Sequence, residues 1–420
     1  MKTKKFLIPS CLILISLFLG ACSGLIPLEE EAAQGEFGPA YSSQEHQTRT
    51  FDALWTNLQE SYIYYEDAAV DWESLRAEYD GRISAGLTQD EFTALIDGLE
   101  TDLPEGSFTY QSRAERIESD LANSATYDGI GAFVGFQDEE VPHVVILAVV
   151  EGSPAEQAGL KAHDSIFSID GNPVLLEDGL TVVERIRGPA GSSVSLDVQS
   201  PGKPKRVVDV ERAKLTSTGR LEAYNIVGTD YGYLLFPPMG YDGLDQDVIT
   251  GLQSLTSNRT LEGLILDLRV ANSSGGWPLE VLLTMFHDGS IGELYNRIDA
   301  QTLQVQGQDV FSSQTVPLVI LVGENTAGFP EVFAAGLQLD ERATVVGAPT
   351  TGAVETSSPF WLPDGSRMFV QSTSFRLPNG EEIGNNGITP DIVVEAGWDD
   401  IQPNDDPVLD RALLILGTSK

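Results

Sequence analysis

Val316 to Gln338, VPLVILVGENTAGFPEVFAAGLQ, is the stretch that most constrains this chain. Pro317 to Val322 is short, wholly apolar and rich in β-branched residues, which suits a strand buried on both faces. A polar Gly/Asn/Thr turn follows. From Glu331 to Leu339 the apolar residues recur at helical spacing, and Pro330 stands where a first helical turn needs no N–H. Strand, tight turn and helix together present the tip of the turn beside the backbone N–H groups of a helix N-terminus. At that tip sits Gly328, which has no side chain.

The chain around this stretch alternates in the same way. Gly232–Phe236 reads as a strand, Asp245–Leu255 as a helix, Gly263–Arg269 as a buried strand, Pro278–Phe286 as a helix and Ala343–Gly347 as another strand. Such alternation predicts a parallel sheet in an α/β core. Upstream, Phe51, Leu54, Trp55, Leu58 and Tyr62 follow helical spacing, Trp72, Leu75 and Tyr79 begin a second helix, and Thr88-Gln-Asp-Glu91 is a capping box before a third. Between these regions lie short strands and glycine turns. Val144–Val150 is a buried strand, Asp170-Gly171 a hairpin turn, and Leu180–Ile186 a short helix.

Composition narrows the function classes. The chain has 420 residues, 41% of them apolar, and a formal net charge of −38. Three of its basic residues are Lys2, Lys4 and Lys5 in the leader, and without them 22 basic residues face 63 acidic ones. That surface should repel nucleic acid and anionic lipid headgroups. MKTKK, a 15-residue apolar run from Phe6 to Gly20, and small residues before Cys22 describe a secretory signal, too short for a membrane span. Leu19-Gly20-Ala21-Cys22 resembles a bacterial lipobox, which implies lipidation at Cys22 and a membrane anchor outside the cytoplasm. Only Cys11 and Cys22 exist, so the folded part has no thiolate metal site and no cysteine nucleophile. No cofactor is called for. The expected organisation is a leader over 1–21, an acidic tether over 22–48, a helical domain over 49–112, a small β domain over 113–214, an α/β core over 215–400 and a C-terminal helix over 401–420.

The β unit resembles a bacterial PDZ domain through GIGAFVG, SPAEQAGL, DSIFSIDG and RIRGPAGSSVSLDV. The resemblance implies that the loop Gly129-Ile130-Gly131-Ala132 offers backbone N–H groups to the carboxylate of a peptide or protein C-terminus, which then pairs as an added strand. The alternative is a groove covered by the chain itself.

LILDLRVANSSGG, RATVVGAPTTG, LPDGSRM and GITPDIVV, with the N-terminal segments FDALWTNLQESYIYY and VDWESLRAEY, resemble the S41 family of serine peptidases. That family comprises carboxyl-terminal processing proteases and tricorn-like relatives. The resemblance implies a serine nucleophile in a T-A-S-x-x-E segment, but Thr326-Ala327-Gly328-Phe329-Pro330-Glu331 carries glycine at that position. It implies a lysine base where Ala353 stands, and no lysine occurs between Lys214 and Lys420. In tricorn-like relatives it implies a histidine where Ser107 stands. His287 is expected at the surface. No catalytic residue is therefore assigned. Thr326, Ser273, Ser274 and Thr350 are hydroxyls of the same neighbourhood, and Asp267, Glu331 and Glu355 its nearest carboxylates. Gly275 and Gly276, with the N–H groups near Gly328, either form an oxyanion-like nest or simply close turns. The expectation is an inactive protease homologue that binds C-termini as an adaptor. Its alternatives are an active endopeptidase using displaced residues and a structural envelope lipoprotein.

Overall fold

The computed structural model describes residues 43–122, 127–215, 219–273, 276–384, 386–402 and 405–418. The leader, Cys22 and most of the expected tether lie outside the described residues, as do Ser274 and Gly275.

Three helices open the fold: α1 (Ser43–Ser61), α2 (Trp72–Ser84) and α3 (Gln89–Asp102). The start of α1 corrects the tether boundary. Gln47 is buried and its side-chain amide donates to Leu87 O at 3.1 Å, so the helix is anchored from its first turns. The capping box at Thr88 forms as expected, with the Thr88 N–H donating to Glu91 and the Glu91 N–H to the Thr88 hydroxyl. Phe51, Leu54, Trp55, Leu58 and Tyr79 pack together with Phe92, Leu95 and Leu99. The aromatics of this region are thus core residues.

Strand β1 (Phe108–Gln111) leads through α4 (Arg113–Ala122) to the PDZ-like unit. There β2 (Tyr127–Gly129), β3 (Ala132–Gln137), β4 (His143–Val149), α5 (Pro154–Gln157), β5 (Ser165–Ile169), β6 (Asn172–Pro173), α6 (Val182–Ile186), β7 (Ser193–Gln199), β8 (Arg206–Glu211) and β9 (Ala213–Leu215) follow in order. The main sheet runs β3-β4-β5-β7-β8, and β2 pairs separately with β9. Ile130, Val144, Ile146, Leu160, Ile166 and Leu196 form its core.

The rest is the α/β core: β10 (Glu222–Asn225), β11 (Tyr231–Leu235), α7 (Leu244–Thr256), β12 (Gly263–Asp267), β13 (Asn272–Ser273), α8 (Leu279–Phe286), β14 (Gly289–Tyr295), β15 (Ala300–Val305), β16 (Leu318–Val322), β17 (Ala327–Gly328), α9 (Phe329–Leu339), β18 (Thr344–Gly347), β19 (Thr356–Trp361), β20 (Arg367–Arg376), β21 (Ile392–Val393) and α10 (Pro407–Thr418). Its central sheet runs β10-β11-β12-β16-β18-β21, parallel from β11 onward. Every residue of β12 and β16 is buried, as expected for strands covered on both faces. Leu244, Val248, Leu283 and Phe333 cover one face from α7, α8 and α9. Val408, Ala412 and Leu416 of α10 cover the other. A second sheet, β1-β20-β14-β15 with β19 on β20, joins the N-terminal helices to the core, because β1 pairs with β20.

Candidate functional site

The site is the turn between β16 and α9. Its approach is fixed by Thr326, which is fully buried. Its hydroxyl accepts the Gly323 N–H at 2.9 Å and donates to Leu268 O at 2.8 Å. Next, the two-residue strand β17 pairs with β13, setting Ala327 against Asn272 and Gly328 against Ser273. The topology thus brings the turn after β12 beside Gly328, as the sequence reading expects. Gly276 is exposed in the left-handed region, with φ +74°, and its backbone packs on Gly240, where an added Cβ would come within 2.6 Å. Gly275, the other member of the expected nest, lies outside the described residues.

Gly328 has φ +73° and ψ −136°, a region that only glycine enters freely. A residue with a side chain here would be strained, the condition of a nucleophile carried on a sharp strand-to-helix turn. The Gly328 N–H does not point into an open nest. It donates to Glu331 Oε2 at 3.0 Å. Glu331 is fully buried and its other oxygen accepts the Gly352 N–H at 2.7 Å and the Thr350 hydroxyl. The anion at this helix N-terminus is the chain's own carboxylate. Burial pushes its pKa up, and the bonds from Thr350, Gly352 and Gly328 pull it partly back.

The expected base positions are equally bare. Ala353 is exposed and follows Gly352 directly, so the position lies one residue from the Glu331 carboxylate but carries only a methyl group. Ser107 is buried, and its hydroxyl has no partner among the described residues. His287 corrects another expectation. It is 3% exposed, at the C-terminal end of α8, with Nδ1 3.4 Å from Asp340. It follows α8 into the core rather than standing at the surface.

The remaining carboxylates are structural. Asp267 is fully buried and bonded by Arg269 and by the Tyr233 hydroxyl, and Arg269 also pairs with Asp406 at 2.8 Å. Glu355 accepts the Tyr64 hydroxyl at 2.6 Å and that of Ser374 at 3.2 Å, tying the N-terminal helices to β20. Burial and this bond to Glu355 hold the Tyr64 phenol well above its ordinary pKa. Among the described residues, the one hydroxyl held against a carboxylate at the turn is Thr350. It is 8% exposed, and its oxygen also accepts the Ile388 N–H at 2.9 Å. Spacing alone did not single out this pair, because residues 331 and 350 meet only through the fold.

The PDZ loop takes the shape its glycines demand. Gly131 has φ +82°, and an added Cβ would overlap Ser153 Cβ. The carbonyls of Ile130 and Gly131 accept from Ala155 and Val150 at 2.8 and 2.9 Å, which fixes the loop over α5. Strand β3 follows at the end of its sheet, paired to β4 on one side only. Ala132, Val134 and Phe136 are half-buried along it. The face of β3 opposite Val134 and Phe136 touches the core turn. Gln137 donates to Glu324 Oε1 at 2.6 Å, and a Cβ at Gly135 would come within 2.5 Å of Asn325 Oδ1. Glu324 and Asn325 immediately precede Thr326.

With this geometry in hand, three comparisons identify the scaffold. A model of peptidase family S41 matches residues 230–394, a PDZ-domain model residues 145–200, and a model of the tricorn protease C1 domain residues 43–99. The chain is 29% identical over 349 residues to the carboxyl-terminal-processing protease of Synechocystis sp., covering 81% of this chain and 79% of that protein. It is 30% identical over 359 residues to the carboxyl-terminal-processing protease of Picosynechococcus sp., covering 81% of each. The chain belongs to peptidase family S41. A solved structure of a photosystem II D1 C-terminal processing protease shares the S41 fold with it at a TM-score of 0.64 and 22% identity, over 90% of this chain and 98% of that one. The S41 fold with a PDZ domain and a helical N-terminal region is therefore the architecture that the sequence reading anticipated.

Proposed function

We propose that this chain is a non-hydrolysing member of family S41, which uses its PDZ domain to bind the C-termini of peptides or proteins as an adaptor outside the cytoplasm. The observation that carries this reading is the turn itself. Position 328 has no side chain, its N–H is closed on Glu331, and position 353 has no amine. Acyl transfer needs an attacking group and a base to activate it, and a backbone turn supplies neither. The PDZ loop and the one-sided strand β3 support peptide binding, since strand addition relies on backbone bonds and a carboxylate-binding loop. The lipobox-like Leu19–Cys22 supports a lipid anchor at Cys22 and an envelope location.

A second reading is an active endopeptidase acting on protein C-termini. Two observations favour it: the relatives are named as processing proteases, and the Thr350 hydroxyl donates to Glu331. Against it, both oxygens of Glu331 and the Thr350 hydroxyl are already bonded within the fold.

One experiment separates the two. The purified chain is incubated with peptides that have unstructured C-termini, and products are read by mass spectrometry, with binding read by fluorescence polarisation. Binding without turnover supports the adaptor. Turnover that survives Gly328→Ala and disappears in a folded Thr350→Val variant establishes the protease. Absence of any C-terminal binding favours a structural lipoprotein.

A further inference from the structure

The PDZ sheet meets the α/β core along a seam containing two histidines in different chemical settings, His143 buried and His163 half-buried. His143, at the start of β4, is 3% exposed, and both of its ring nitrogens face acceptors. Nδ1 lies 2.9 Å from Val141 O, and Nε2 lies 2.9 Å from Asp399 Oδ2. A neutral imidazole has one N–H and would turn a lone pair on one of these oxygens. Only the imidazolium donates to both. Asp399 belongs to the 3-10 turn Trp398–Asp400 of the core, and it also accepts the Ser165 hydroxyl of β5 at 3.1 Å. The other charged groups around His143 are Glu139, on the β3–β4 turn, and Lys205. The Lys205 amine sits 3.5 Å over the Phe167 ring, which in turn lies 5.0 Å from the His143 ring.

His163, on the turn before β5, differs. Its Nδ1 lies 2.6 Å from Trp398 O, and its ring packs on the Trp398 ring at 4.3 Å. The charged groups it senses are Arg269, whose guanidinium also covers Trp398, and Asp267 and Asp406, both paired with that arginine. A single donated bond beside a cation suits the neutral ring. Trp398 completes the seam, donating its indole N–H to Ile146 O at 3.1 Å and packing with Val145, Leu147, Val270 and Ile401.

We propose that this seam is a proton-operated latch: charged His143 clasps the PDZ sheet to the core turn through Asp399, and loss of its proton loosens β4, the neighbour of the open strand β3. Burial pushes His143 toward the neutral form, but its bonds to Asp399 and Val141 outweigh that and raise its pKa above 6.5. Its contribution is complete below that ordinary value and is lost as pH rises through the higher folded value. The bond from His143 holds Asp399 below its ordinary value of 3.8, so its contribution is present above 3.8 and fails only as pH falls through the lower folded value. Burial lowers His163, so its neutral contact is complete above 6.5 and weakens as pH falls through its folded value. The seam is tightest near neutral pH and opens on the alkaline side through His143.

The test is hydrogen exchange on the full chain at about pH 6 and about pH 9, corrected for intrinsic rates. Peptides covering 143–149 and 397–402 lose protection by roughly severalfold at the higher pH, while β16 keeps its own. His143→Gln shows the loosened pattern at both values. Side-chain NMR of the unmodified chain gives a second readout, in which His143 carries two ring N–H protons near pH 6 and titrates together with the loss of protection. A neutral His143 at that pH, or a seam whose protection does not change with pH, overturns the proposal. Should His143→Gln not fold, the NMR titration decides alone.

Discussion

The carboxylate of Glu331 closes on the N–H of Gly328 at 3.0 Å, inside the first turn of α9. Through its other oxygen it holds Gly352 and Thr350, so one residue joins the turn, the helix and the segment that carries position 353. An S41 scaffold here uses its helix N-terminus to hold itself together.

Removing that carboxylate leaves three buried donors without an acceptor, each unsatisfied group costing about 1–3 kcal/mol. Glu331→Ala is expected to lower unfolding stability by at least about 3 kcal/mol, measured by urea titration. Because burial raises the Glu331 pKa, its contribution is complete below its ordinary value of 4.5 and is lost as pH rises through the folded value. The stability difference between the unmodified chain and Glu331→Gln should therefore narrow with rising pH across that range. A difference that widens would show that the hydrogen bonds dominate.

Gly328→Ser places a hydroxyl on a backbone with φ +73°, at a cost of about 1–3 kcal/mol. Alone it should leave peptides uncut. Combined with Ala353→Lys, which sets an amine one residue from Gly352, it should give hydrolysis detectable by mass spectrometry. An inactive double variant that is folded would mean that the surrounding cleft, and not only two side chains, has been lost.

Peptide binding at the Gly129–Ala132 loop should depend on the terminal carboxylate. A charge-assisted hydrogen bond contributes about 1.5–3 kcal/mol, so an amidated peptide should bind roughly tenfold more weakly or worse. Equal polarisation isotherms for the free acid and the amide would place binding elsewhere.

Arg269 pairs with buried Asp267 and with Asp406. Arg269→Met strands the fully buried Asp267 charge and should reduce stability by about 3–5 kcal/mol in denaturant titration. Asp406→Asn, which keeps Asp267 paired, should have the smaller effect.

Much of the fold was legible in the residues. The apolar run after Pro317 became the buried strand Leu318–Val322, and the spacing after Gly328 became the helix Phe329–Leu339. The capping box at Thr88 and the hairpin at Asp170-Gly171 formed where their local chemistry placed them. The start of α1 was missed because Ser43–Gln47 is polar, and the burial of Gln47 depends on α1 lying against Leu87. The burial of His287 was missed for a similar reason, since the residues around it are distant in the chain.

Local order alone determined that a strand, a glycine turn and a helix succeed one another here, that the turn lacks an attacking side chain, and that no lysine stands between it and Lys420. These depend on residue type and near-neighbour spacing, which the chain states directly. Only the tertiary structure decided that the Gly328 N–H is closed on Glu331, that Thr350 meets the same carboxylate, and that His143 reaches Asp399. Those contacts join segments 19 to 256 residues apart in two of the three cases, or depend on how the first turn of α9 folds back on itself. Burial and hydrogen bonding at such contacts follow from packing, and no periodicity in the chain encodes them.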